Sequence, residues 1–158
     1  MVYPPIVVVR CRNFLSMDDK LIEHHTKVKG DLGVLKAQVS LYEQGYLILQ
    51  PVTEHAPFDL VAYKDGVFKR VQVKYKSLDK TGAMTVHFPS CWTDKNGTHI
   101  QAINKKEIDL YCIYCPDTDE CYFLNPVNYE KSVTLRVKAP KNNQSKYVNF
   151  TTDFRRVP

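Results

Sequence analysis

No stretch of the 158 residues approaches a membrane span; a bilayer-crossing helix needs roughly 20 consecutive apolar residues. Met1–Val9 reads as a poor secretory leader: it is apolar, but no basic residue precedes it, and Pro4 and Pro5 interrupt it. Cysteines number five, an odd count. Without a leader, free thiols in a reducing cytoplasm are the expectation. Glycine is scarce, six in all, and never clusters. That excludes a glycine-rich phosphate cradle and a Gly-x-Ser-x-Gly nucleophile elbow. No internal repeat or low-complexity tract is present, which excludes a solenoid.

What remains is a globular mixture of one domain's length, 44% hydrophobic and 25% charged. Met17, followed by Asp18-Asp19-Lys20, is a more natural start than Met1, so residues 1–16 read as an upstream extension outside the fold. The division expected is an N-terminal extension over 1–25 and a single domain over 26–155. The net charge is +5, and the basic residues are clustered. Lys69, Arg70, Lys74, Lys76 and Lys80 load a central segment; Arg136, Lys138, Lys141, Lys146, Arg155 and Arg156 load the last quarter. Such clusters suit a polyanion, with a solvated basic surface as the plainer alternative. Lys76, Lys80, Arg136 and Lys138 are the candidate phosphate contacts.

Leu35, Val39 and Tyr42, with Leu32 and Leu41 widening the stripe, predict a helix from Asp31 to Gln44 that ends at Gly45. Strands follow at Tyr46–Gln50, Phe58–Tyr63, Val67–Lys76 and Ala83–Phe88. The turn Lys64-Asp65-Gly66 joins the second and third as a hairpin. Trp92–Gly97 reads as a polar loop turning at Asn96-Gly97. Ile108–Cys115 and Cys121–Leu124 form a second hairpin, and Val133–Val137 and Tyr147–Phe150 complete the set, with a turn at Asn142–Ser145 between them. The fold class is α/β (α+β): a central mixed β-sheet, an N-terminal helix and a β-rich C-terminal half.

Two other metal chemistries fit the sequence poorly. Zinc would need four converging ligands. Cys112 and Cys115, three apart on a strand, face opposite ways, although Cys121 and Cys91 leave a fourth ligand available. His24, His25, His55, His87 and His99 show no strand-plus-helix pairing of the sort a histidine-metal nuclease needs. Phe88 and Trp92 flank the expected loop, where stacking on DNA bases is one role and core packing the favoured one.

One constellation carries chemistry. Gln72 and Lys74 are two apart on a strand and share a face. Equal steps back from Asp65-Gly66 along both strands place Asp59 opposite Gln72. Asp59, the Gln72 side-chain oxygen and the Val73 carbonyl are hard oxygen donors suited to Mg²⁺, with Mn²⁺ as a substitute. Lys74 beside them could orient a water and offset phosphate charge. Taken alone, a D…QxK pattern is weak.

Its surroundings sharpen it. Lys29-Gly30-Asp31-Leu32-Gly33, a helix, Gly45-Tyr46, Ala56-Pro57-Phe58-Asp59-Leu60-Val61 and Val71-Gln72-Val73-Lys74 together resemble PD-(D/E)XK nucleases. Ile108–Thr118 and Leu135-Arg136-Val137 are similar to the family's later segments. Gln72, where most relatives carry Glu or Asp, is similar to the group I intron-associated homing endonucleases. The resemblance spans about residues 26–155. It implies a restriction-endonuclease-like core, Mg²⁺-dependent cleavage of double-stranded DNA, and a homo-oligomer, dimer or tetramer. It implies Asp59, Gln72 and Lys74 as the catalytic set. A Holliday-junction resolvase and a weakened DNA-binding relative are the alternatives. One departure stands out: the family's helix Glu, four residues after Gly30, is Val34 here. Asp31 and Gln38 share its helical face and are the candidate substitutes, with Glu54 a further one.

Overall fold

Nineteen residues, His25–Glu43, form helix α1, which begins well before the expected Asp31. The computed structural model describes residues 25–53, 55–95, 97–101, 104–139 and 148–158; the proposed N-terminal extension up to residue 24, Glu54 and the Asn142–Ser145 turn lie outside them. At its C-terminal end the Gly45 N–H donates to Tyr42 O at 2.9 Å and the Tyr46 N–H to Leu41 O at 3.1 Å. This double closure needs the left-handed φ of +83° that Gly45 adopts.

The strands are β1 (Leu47–Leu49), β2 (Leu60–Lys64), β3 (Val67–Tyr75), β4 (Ala83–His87), β5 (Ser90–Asp94), β6 (Gly97–Gln101), β7 (Leu110–Cys115), β8 (Glu120–Leu124), β9 (Ser132–Arg136) and β10 (Asn149–Phe150). Five of them form a mixed sheet in the order β1-β2-β3-β7-β8. The β3–β7 pair is parallel and its flanking pairs are antiparallel. A second sheet runs β10-β9-β4, and β5 pairs with β6. The expected polar loop over Trp92–Gly97 is therefore mostly strand: Trp92 lies in β5, opposite His99 of β6. The sequence hides this because Thr93, Asp94 and Thr98 put polar residues at odd and even positions alike, so no alternation shows.

The five-stranded sheet is covered differently on its two faces. Leu60, Ala62, Val71, Leu110, Cys112 and Phe123 meet Ala37 and Leu41 of α1. On the other face Tyr111, Ile113, Tyr122 and Leu124 meet Met84 and Val86 of β4 and Val133 and Leu135 of β9. Cys112 and Cys115 accordingly belong to opposite faces, as their odd spacing requires.

The helix departs from expectation in which side it buries. Ala37 and Leu41 are fully buried and Gly33 is buried with them, while Leu35, Val39 and Tyr42 are exposed. Small residues form the contact because the helix sits close to the sheet. A Cβ on Gly33 would lie 3.5 Å from Val73 Cγ1 and 3.6 Å from Tyr75 Cβ.

Candidate active site

Asp65 and Gly66 carry φ of +51° and +83°. Both central residues of the two-residue turn are left-handed, as in a type I′ hairpin turn. The turn sets Lys64 opposite Val67 and, four steps on, Leu60 opposite Val71. One further step brings Asp59, just before β2, to the level of Gln72. Its N–H donates to Val71 O at 2.9 Å, and its carboxylate Oδ2 accepts the Val73 N–H at 2.6 Å. The carboxylate thus replaces the next rung of the ladder, capping the edge of β3 where β2 has ended.

Gln72 and Lys74 lie in register with Tyr111 and Ile113 of β7, so they project on the face opposite α1. The three-stranded sheet covers that face only over β7 and β8. The β3 part is left to these two polar side chains, both half-buried.

Asp59 and Lys74 shift each other's titration. Burial pushes the Asp59 carboxyl above its ordinary value, against the smaller opposing pull of the Val73 N–H, the Lys74 charge and the Gln72 amide. Burial pulls the Lys74 ammonium below its ordinary value, and Asp59 counteracts that. A carboxylate, a carboxamide and an ammonium therefore share one partly desolvated patch. Each charged form costs more there than in water.

The donor chemistry at this patch fits a hard divalent cation. Asp59 and Gln72 offer side-chain oxygens. The Val73 carbonyl leaves the strand on the same edge as its N–H, the edge that Asp59 occupies. A carboxylate whose burial outweighs its compensation is also one that a cation would settle.

The other candidates fall elsewhere. Asp31 is exposed on α1, and Gln38 is half-buried with its Nε2 buried and unpartnered. Val34 packs against the α1-side core, one residue after Gly33, where an added Cβ would lie 3.5 Å from Val73 Cγ1. That turn of helix lies over the strand bearing the site. Among the described residues, no three His, Cys, Asp or Glu side chains are grouped to hold a metal.

Of the basic residues, Lys80, Arg136 and Lys138 line one open groove of about 760 Å³, while Lys76 is exposed at the end of β3. Asp79 shapes the groove's rim: its Oδ1 accepts from the Thr81 N–H and hydroxyl, both at 2.7 Å, and from the Ala83 N–H at 3.1 Å.

Sequence reasoning missed the Arg70–Asp109 fork. Asp109 Oδ2 accepts the Arg70 Nε–H and backbone N–H, both at 2.8 Å, and Oδ1 accepts from Nη2 at 2.9 Å. The Asp109 N–H returns to Arg70 O at 2.9 Å. This bidentate pair pins β7 beside β3 where their parallel register begins. An Asp directly before an apolar strand was the available signal.

Comparison with known proteins agrees with the geometry. The sequence matches the PD-(D/E)XK endonuclease family over residues 24–157. Among solved structures the fold resembles a bacterial homing endonuclease, I-Ssp6803I. The TM-score is 0.69 at 23% identity, covering 84% of this chain and 89% of that one. No curated protein matches the sequence.

Proposed function

Because the chain belongs to the PD-(D/E)XK endonuclease family, we propose that it is a Mg²⁺-dependent, site-specific endonuclease of the homing type. In this reading it hydrolyses double-stranded DNA in the cytoplasm as a homo-oligomer, a dimer or tetramer. Mn²⁺ would serve in place of Mg²⁺. The observation that carries the reading is the convergence of Asp59, Gln72 and Lys74 at the open end of the β2–β3 pair.

Asp59, the Gln72 side-chain oxygen and the Val73 carbonyl would hold the cation. When bound, it supplies positive charge against the phosphodiester and activates the attacking water. Asp59 is held at the edge of β3 by the Val73 N–H, so the carboxylate is in place before substrate arrives. Lys74 sits where an ammonium can hydrogen-bond a non-bridging phosphate oxygen or the water. Its burial makes the proton easier to release, and Asp59 holds it in place. In the reaction, the water gives up a proton and its oxygen bonds to phosphorus as the bond to the leaving sugar oxygen breaks; the leaving oxygen takes up a proton, so one water is added across the P–O bond. Lys80, Arg136 and Lys138 along their groove, with Lys76, would neutralise the DNA backbone.

A second reading, a DNA-binding protein with a weakened nuclease core, draws support from Val34. It stands at the helix position where the family carries Glu, and its side chain packs with the core.

The deciding experiment is cleavage of plasmid and of target-site duplex with Mg²⁺ by the wild type, Asp59→Ala and Lys74→Ala. Loss of at least a hundredfold in both variants is expected, as for removal of groups that act on transition-state charge. Equal residual cleavage by all three proteins refutes the assignment. Salt-sensitive binding without any product selects the second reading.

A further inference from the structure

Helix α1 has two apolar faces, and the described residues cover only one. Gly33, Ala37 and Leu41 meet the sheet. On the far side, Val28, Leu32, Leu35, Val39 and Tyr42 are each between 39% and 72% exposed. These five follow one another at steps of four, three, four and three residues. That is the spacing by which a helix keeps an unbroken seam toward another helix. The seam runs for about 21 Å along the axis, at 1.5 Å per residue. A helix apolar on both sides is the kind found between two layers, and the described residues supply one of the two.

The flank of the seam indicates what covers it. Lys29 and Glu43, both exposed, lie on the same side of the stripe near its opposite ends. Lys36, midway along that flank, is drawn back to its own chain: its Nζ lies 2.7 Å from Asp119 Oδ1 and over the Tyr114 ring. A second α1 running antiparallel meets this pattern with its complement. The positive end of one flank falls beside the negative end of the other, twice, and the middle holds a lysine already neutralised. Parallel packing makes neither pair.

We propose that the exposed stripe of α1 is a self-association surface, on which α1 helices of two copies pack antiparallel about a two-fold axis. The seam spacing then sets Leu32 against Tyr42 of the partner subunit and Leu35 against Val39 of the partner subunit. Lys29 falls beside Glu43 of the partner subunit. The contact is isologous, so each pair occurs twice. The proposal rests on the homo-oligomer part of the functional reading and names its surface and register. It also sets the assembly on the helix whose other side lies over Val73, so pairing would stiffen the support of the site.

Sedimentation equilibrium of the full chain tests it. The wild type should reach twice its 18.3 kDa mass, or four times it where two such dimers join. Leu35→Lys with Val39→Lys should halve that mass with an unchanged circular dichroism spectrum, because neither side chain is in the core. Lys29→Glu or Glu43→Lys alone should weaken association severalfold, and the two together should restore it. That recovery is the signature of the antiparallel register. A monomeric wild type overturns the proposal, including the case in which the chain's own N-terminal residues cover the stripe. So does a dimer whose dissociation constant ignores the Leu35 and Val39 changes. A dimer that fails to cut DNA would count against the nuclease reading alone, and a monomer that cuts would count against this proposal alone.

Discussion

Asp59 and Val73 are joined by a 2.6 Å hydrogen bond from the strand amide to the carboxylate. A side chain thereby stands in for the backbone of a strand that has ended. The carboxylate is committed to β3 through one oxygen, and the Lys74 charge and the Gln72 amide act on it from beside it. This bond and the burial around it set the behaviour of the site in the absence of metal.

Without a cation the ionised carboxylate is a burden on the fold. Its folded pKa lies above the ordinary 3.8. The folded state therefore binds the proton more tightly than the unfolded chain, and stability falls as pH rises through the raised value. In EDTA, Asp59→Asn should melt higher than the wild type at pH 7, and the difference should close below pH 3.8, where both side chains are neutral. Added Mg²⁺ should raise the wild-type melting temperature and leave that of Asp59→Asn unmoved. Thermal melts at the two pH values, with and without Mg²⁺, check all three expectations.

Val34→Glu returns a carboxylate to the helix turn above Val73. Mg²⁺-dependent cleavage should rise about tenfold, at a cost of about 1–3 kcal/mol for placing an acid against the apolar core. Titrating cleavage against Mg²⁺ alongside a urea melt measures both. No gain in cleavage would mean that a carboxylate on α1, on the face of the sheet opposite Gln72 and Lys74, does not reach the cation held at Asp59.

Gly33→Ala should be tolerated and stabilising. The added methyl meets Val73 Cγ1 at 3.5 Å, an ordinary contact. The helix gains about 1 kcal/mol of propensity, or a melting shift of about 2–4 °C for a domain of this size. Gly33→Leu should do the reverse by lifting α1 from β3. A fall in melting temperature for the alanine variant would mean that the approach is tighter than these distances.

Replacing Lys80, Arg136 and Lys138 together with alanine should weaken binding to all DNA sequences alike. The slope of log affinity against log salt should become shallower by about 1 for each phosphate that no longer has a cation beside it. Filter binding or fluorescence anisotropy across a salt series reads this directly. An unchanged slope would place the DNA on another surface.

Local chemistry made the β2–β3 hairpin legible. Asp65-Gly66 admits one type of turn, and that turn's length alone puts Asp59 level with Gln72. The β7–β8 hairpin, with its buried apolar strands, was equally plain. The buried side of α1 was not, because periodicity reports where large apolar residues lie. This helix carries its large ones outward and packs through glycine and alanine. The pairing of β3 with β7 was also out of reach: it joins residues 71–75 to 110–114, and nothing local in either segment names the other. The β5–β6 pair was hidden for a third reason, since its strands are too polar to show alternation.

The Asp65-Gly66 turn lies at the far end of the hairpin from Asp59, Gln72 and Lys74, and side chains alternate faces along a strand. Adding or removing one residue there would shift β3 by one step against β2 and turn Gln72 and Lys74 to the helix side of the sheet, away from Asp59. Surface turns ordinarily tolerate changes in length during divergence. This one should accept substitution but resist single insertions and deletions, so its length should be inherited as strictly as the site itself.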